Sequence, residues 1–110
     1  MATIIPKEQL QNGHLFQGDD FGGIPISFFW MQLPPEDGPN LHFHPYAEIF
    51  VILEGQATFT VGEDTIEVTA GNIVIGPAGV PHKFRQTGED ALKIITIHPS
   101  PHTIGTRVEE

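Results

Sequence analysis

Twelve glycines and ten prolines break this 110-residue chain into short segments, and that punctuation restricts its fold more than any other feature. No window of eleven or more residues keeps a helical apolar period free of Gly or Pro, so long helices are excluded. The segments between the breaks are alternating, β-branched or aromatic, which is the pattern of strands. Residues 24–33, 48–54, 56–61, 65–69, 72–75, 82–86 and 91–98 read this way. In 56–61, Ala57, Phe59 and Val61 fall on one side and the threonines on the other. Gly62-Glu63-Asp64 then reads as a tight hairpin turn, with Ile66 and Val68 returning inward. Residues 48–54 are apolar throughout their interior and read as a strand covered on both faces. Residues 3–12 are the best place for a single helical turn, and 99–110, polar and proline-bearing, reads as a loosely packed tail. Seven or eight short, regularly spaced strands predict an all-β sandwich or barrel, with 1–110 as one domain and 1–20 as its N-terminal segment.

Composition removes several functions. The chain has no cysteine, which excludes disulfide scaffolds, thiolate zinc sites, iron–sulfur clusters and a cysteine nucleophile. Five basic residues stand against fourteen acidic ones, a net charge of −9. Such a chain cannot build the phosphate-neutralising patch of a nucleic-acid binder, nor a basic face for an anionic membrane. The longest apolar run, 49–53, is far shorter than the roughly 20 residues that cross a bilayer. Pro6, Lys7 and Glu8 interrupt the start, which lacks the apolar stretch of a signal peptide, so the expected location is cytoplasmic.

The histidines carry the chemistry. His42 and His44 are one residue apart, a spacing that points both imidazoles to the same face of a strand. Glu48 has the same parity and opens an apolar strand, where a lone carboxylate is costly to bury and a cation is the simplest compensation. His82, which follows Gly79-Val80-Pro81 at the start of another strand, is the candidate fourth donor. Neutral imidazoles with a carboxylate suit Mn, Fe, Co, Ni or Zn better than Ca or Mg.

Two stretches around these residues resemble the conserved motifs of the cupin family. Residues 38–55 (GPNLHFHPYAEIFVILEG) resemble the first motif: a glycine, H-x-H, a spacer, Glu and a closing glycine. Residues 71–86 (GNIVIGPAGVPHKFRQ) resemble the second, with Gly71, Pro77, Gly79 and His82 in place. There are two departures. Three residues separate Gly38 from His42 where the family usually has five, and Gln86 stands where the family has Asn. Neither touches a ligand position. The resemblance implies a jelly-roll β-barrel (a double-stranded β-helix) with His42, His44, Glu48 and His82 binding a divalent transition metal (Fe, Mn, Zn, Ni or Co). It also implies one or two coordination positions left for water, substrate or dioxygen. In the second motif, Pro77 fixes φ and Gly79 can take positive φ, a turn that swings His82 back into the barrel.

The leading expectation is a dioxygenase-type oxidoreductase acting on a small organic substrate. Glu48 would ligate the metal and accept a proton, and Tyr46 would be a substrate-facing phenol with a catalytic part or else a cap on the barrel rim. The alternatives are a metal-dependent isomerase, epimerase or lyase, and a non-catalytic sensor of a small ligand. His14, His98 and His102 read as structural or solvent-exposed, with His98 able to line the barrel mouth. Lys83 and Arg85 have the opposite parity to His82 and point outward, which removes the nearest anchors for a substrate carboxylate and favours an aromatic or otherwise apolar substrate. The family resemblance and the open strand edges together imply a homodimer, with 24–33 as a contact.

Overall fold

A computed structural model describes residues 1–110. Ten strands follow in order: β1 (Leu15–Gln17), β2 (Ser27–Leu33), β3 (His42–Phe43), β4 (Glu48–Glu54), β5 (Gln56–Val61), β6 (Asp64–Thr69), β7 (Ile73–Gly76), β8 (His82–Gln86), β9 (Leu92–His98) and β10 (Thr106–Arg107). They form two five-stranded antiparallel sheets, one ordered β1-β2-β9-β4-β7 and the other β10-β3-β8-β5-β6. This is the all-β jelly roll expected from the punctuation and the motifs. The helical turn expected within 3–12 is a 3-10 turn over Lys7–Gln9.

Side-chain alternation builds the interior. In β8, His82, Phe84 and Gln86 face inward; in β9, Leu92, Ile94, Thr96 and His98 do so. Phe50, Phe59 and Phe84 pack on one another at 5.1–5.8 Å between ring centroids and fill one end of the barrel with Ile52, Leu92 and Ile94. Each such buried side chain contributes about 1.5–3 kcal/mol. The other end, towards His98 and Glu48, is polar. One sequence of strands therefore makes a dry core and, beside it, a site.

Three expectations need correcting. First, β4 is not covered on both faces: Phe50 and Ile52 are buried, whereas Ile49 is 38% and Leu53 45% exposed. Its outward side chains are apolar without being buried within this chain. Second, Val68 is buried but Ile66, nearer the hairpin turn on the edge strand β6, is exposed. Third, the segment 99–110 is not loose. The Ser27 hydroxyl donates to the Ser100 carbonyl (2.7 Å), β10 pairs with β3, and the Val108 N–H reaches the Leu41 carbonyl (2.9 Å). The short strand β3 would otherwise be a sheet edge, and the segment supplies its missing partner.

The two motif departures have local explanations. A Cβ on Gly38 would lie 1.9 Å from the Phe84 carbonyl oxygen, so the backbones touch there and only glycine fits. The buried Gln86 donates through Nε2 to the carbonyls of Gly88 and Asp90 and so closes the β8–β9 connection. Gly79 takes φ +73°, as the turn before His82 requires.

Candidate metal centre

The four residues expected to meet do meet. His42 lies in β3 directly opposite His82, the first residue of β8, while His44 follows β3 and Glu48 opens β4. One donor atom from each, three imidazole nitrogens and a carboxylate oxygen, lie within 4.8 Å of one another. Nε2 of His44 and Nε2 of His82 each stand 2.9 Å from Glu48 Oε1. His44, Glu48 and His82 are buried.

The backbone fixes which nitrogen of two of the rings faces the centre. Nδ1 of His42 lies 2.6 Å from the Asn40 carbonyl, that of His44 2.6 Å from the Ile104 carbonyl, and that of His82 3.3 Å from the Val80 carbonyl. At His82 the shorter contact is Nε2 to Glu48 Oε1 (2.9 Å), an acceptor as well, so the backbone does not set its tautomer. At His42 and His44 a carbonyl only accepts, so Nδ1 carries a proton and donates it. In a neutral imidazole the Nε2 then presents a lone pair. Three imidazole nitrogens and a carboxylate converge in a largely buried space, an arrangement that calls for a positive charge at its middle. Neither His44 Nε2 nor His98 Nε2 has a hydrogen-bond partner, although Glu48 oxygens stand 2.9 and 3.2 Å away. Backbone carbonyls holding the rear nitrogens of ligand histidines are a recurrent support for metal binding. By donor type, tautomer and spacing, the set suits a divalent metal.

The titration directions show how strongly these groups feel one another without a metal: Glu48 is held ionised, His42 is held neutral, and His44 is pushed towards its protonated form. Burial raises the Glu48 carboxyl, but the imidazoles of His44, His82 and His98 outweigh it and hold it well below the usual carboxylate range. Burial lowers His44, and Glu48 together with the Ile104 carbonyl more than reverses this, leaving it raised. Burial dominates at His42, which is lowered towards the neutral form that a metal ligand needs.

A cavity of about 530 Å³ opens onto these donors. Phe29, Met31, Leu33, Phe50 and Phe84 give it an apolar wall, and His42, His44, Glu48 and His98 form its polar end. Two glycines make room for the ligand rings. A Cβ on Gly76, which faces Glu48 across the β4–β7 ladder, would lie 3.0 Å from His82 Nδ1; one on Gly105 would lie 3.1 Å from His44 Nδ1.

The remaining sequence candidates are placed as follows. Tyr46 stacks flat on His44 (5.1 Å, 3°), and its hydroxyl meets His98 Nδ1 (2.7 Å) and the Ile104 N–H (3.1 Å). His14 and His102 are surface residues, the latter paired with Asp19 at 2.8 Å. His98 is fully buried and its Nε2 stands 3.2 Å from Glu48 Oε2, so it belongs to the site in a way its sequence position did not announce. Lys83 and Arg85 do face away from the cavity: Lys83 pairs with Glu110, and Arg85 binds the Pro39 carbonyl and Asn40. Arg107 was not foreseen. It lies opposite His42 in the β3–β10 ladder and lines the cavity.

Comparison with known proteins agrees with this geometry. The uncharacterized protein MJ1618 of Methanocaldococcus jannaschii is 34% identical over 104 residues, 94% of this chain and 83% of that protein. The uncharacterized protein SCO3923 of Streptomyces coelicolor is 37% identical over 60 residues, 54% of this chain and 56% of that one. Among solved structures, a variant of Bacillus subtilis oxalate decarboxylase superposes with a TM-score of 0.75 over 86% of this chain at 20% identity, a likeness of fold. This chain spans only 27% of that enzyme and about half of SCO3923. The cupin domain family matches residues 29–98, which contain both motifs and all four donors. The chain belongs to the cupin family.

Proposed function

We propose that this protein is a metal-dependent cupin that acts on a small organic substrate, with dioxygenase-type oxidoreductase chemistry as the leading reaction. The observation that carries this reading is the convergence of three imidazoles and one carboxylate, with His42, His44 and Glu48 at the polar end of an apolar cavity. His42, His44, Glu48 and His82 would hold Fe, Mn, Co, Ni or Zn, and the bound ion would supply Lewis acidity and, for Fe or Mn, redox chemistry. The cavity wall orients an apolar substrate body and keeps bulk water away from the donors. Glu48 supplies negative charge to the centre through Oε1, and its Oε2 is the nearest basic atom able to take a proton from a substrate.

Arg107 favours a second reading, Lewis-acid isomerase or lyase chemistry on a carboxylate-bearing substrate. Four of the five basic side chains have partners: Lys7 with the Gly13 carbonyl, Lys83 with Glu110, Arg85 with Asn40 and Lys93 with Glu54. Arg107 has none, and it borders the cavity beside His42. In a chain of net charge −9, a free guanidinium at that place suits an anionic substrate. Protein stripped of metal and reloaded with Fe(II), Mn(II), Co(II), Ni(II) or Zn(II) separates the readings on a panel of small carboxylates and their neutral amides. Oxygen uptake with Fe or Mn supports the first. Product formation without oxygen uptake, with Zn or Ni, supports the second. Ligand binding without product under every metal would leave a sensor and overturn both.

The same protein is proposed to be a homodimer, closed through the outer face of the β1-β2-β9-β4-β7 sheet. Ladder partners place Trp30, Ile95, Val51 and Ile73 in one row and Phe28, Ile97, Ile49 and Ile75 in the next, all pointing outward. Ile73 is 65% and Ile75 61% exposed, and Trp30, Ile49 and Leu53 are also exposed. An apolar patch of this extent, bordered by the Lys93–Glu54 pair, marks an interface. Two copies of a strongly acidic chain repel elsewhere, so this is where they can meet. The contact expected from 24–33 is part of it, through Phe28 and Trp30.

A further inference from the structure

His98 and Tyr46 are the polar residues of the interior that the ligand set does not use, and their geometry gives them a definite part. His98 is 2% exposed and stands between two groups: Tyr46 Oη lies 2.7 Å from its Nδ1, and Glu48 Oε2 lies 3.2 Å from its Nε2. Tyr46 Oη also accepts the Ile104 N–H at 3.1 Å. Two proton arrangements are open. If His98 carried its proton on Nδ1, the Tyr46 oxygen would accept twice and its own proton would have no acceptor among these groups. The Nε2 lone pair would also face a carboxylate oxygen 3.2 Å away in a buried space, acceptor against acceptor. If Tyr46 donates to Nδ1, the His98 proton sits on Nε2, 3.2 Å from Oε2, its nearest acceptor, although the contact is not a formed hydrogen bond in this structure. His98 is then the opposite tautomer to His42 and His44, and it offers Glu48 a proton where they offer the centre lone pairs.

We propose that His98 and Tyr46 are a positioning pair that keeps Glu48 a one-oxygen ligand: the Tyr46 hydroxyl sets the His98 tautomer, and the His98 Nε2–H holds Oε2 so that Oε1 is turned to the metal. The inference rests on the metal-binding reading above. Ile104 ties the pair to the ligand set, because its carbonyl holds His44 Nδ1 (2.6 Å) while its N–H holds Tyr46. The flat stack of Tyr46 on His44 and the edge contact of His98 with His44 (4.7 Å, 86°) couple the pair to a second ligand. Supports of this kind, one shell behind the ligands, typically govern metal affinity by about 10–100-fold.

Two measurements test it, one of which needs no metal. Long-range proton–nitrogen NMR of the metal-free protein above pH 8 should show His98 with its proton on Nε2, and His42 and His44 with theirs on Nδ1. A His98 proton on Nδ1 overturns the proposal. In the second, Co(II) is titrated into wild type, Tyr46→Phe, His98→Gln and His98→Leu while visible absorption is recorded. Tyr46→Phe keeps the stack on His44 and lets His98 exchange tautomers, so it should weaken Co(II) several-fold. His98→Leu should weaken it about 10–100-fold and alter the spectrum as Oε2 joins the metal. His98→Gln restores a donor and should recover most of the affinity and the wild-type spectrum. Should His98→Leu not fold, Tyr46→Phe decides: wild-type affinity with a wild-type spectrum overturns the proposal. Wild-type protein that takes up no Co(II) at all, with the tautomers as stated, would instead overturn the metal reading and with it the proposed role of the pair.

Discussion

Gly76→Ala tests whether the barrel wall sets the position of a ligand ring. Gly76 ends β7 opposite Glu48, and its φ is not in the left-handed region, so alanine suits the backbone and only the added methyl matters. That methyl would lie 3.0 Å from His82 Nδ1, 3.3 Å from His82 Cε1 and 3.3 Å from Phe50 Cε2. Relaxed contacts begin near 3.5 Å, so the ring must retreat by about 0.5 Å. Retreat is resisted: His82 is 1% exposed and packed edge-on against Phe50 (5.3 Å) and His42 (4.6 Å). Overpacking of this kind costs about 1–3 kcal/mol. Loss of glycine's freedom in the unfolded chain returns about 0.4–1 kcal/mol. The net destabilisation is therefore roughly 0–2.5 kcal/mol, read as a fall in the Tm of the metal-free protein of up to about 15 °C. Zinc affinity, measured by chelator competition, should fall further than stability does, by about 10–100-fold, because the Nε2 lone pair leaves its place. A folded Gly76→Ala protein that binds zinc within twofold of wild type would refute the claim that this glycine holds the ring in register.

Three further outcomes follow from the geometry. Arg107→Gln should weaken binding of phenylacetate to the zinc-loaded protein by about tenfold or more, since charged hydrogen bonds contribute about 1.5–3 kcal/mol, and leave phenylacetamide unchanged; equal losses in calorimetry would remove the anion anchor. Ile75→Lys should convert the dimer to a monomer in light scattering with zinc binding preserved; a wild-type that is already monomeric, or a variant that stays dimeric, would put the interface elsewhere. In the metal-free protein the contributions of Glu48 and His44 are both complete between about pH 4.5 and 6.5, the ordinary values of the two groups, while the lowered His42 subtracts stability as pH falls below 6.5. The lowered Glu48 contributes stability that is complete above 4.5 and is lost as pH falls through its folded value, while the raised His44 contributes stability that is complete below 6.5 and is lost as pH rises through its own. Thermal melts of Glu48→Gln should lose both limbs, and an unchanged profile would show that these groups do not interact as placed.

Local chemistry made most of the site legible. The parity of His42 and His44 is a property of one short extended stretch, Glu48 reaches them from the other sheet beyond the bend at Pro45-Tyr46, and the turn chemistry of Gly76-Pro77-Ala78-Gly79 brings His82 to them. His98 was harder to read because a histidine ending an apolar strand is ordinary. The signal available was its parity with Leu92, Ile94 and Thr96, which puts a titratable ring on an inward face. Arg107 left no signal, since a two-residue strand has no period and its place comes from pairing with β3, more than sixty residues away in the chain. The outward face of β4 misled for a different reason. Apolar residues on both sides of a strand record burial without saying by what, and here one side faces the core while the other carries the exposed patch.

The most direct test of the account is the metal content of untagged protein, by elemental analysis, beside a His42→Ala, His44→Ala variant whose fold is verified by circular dichroism. Three imidazoles and a carboxylate arranged as here should retain close to one divalent ion per chain in the wild type and almost none in the variant. Equal metal in both would contradict the assignment of this cluster as the metal centre.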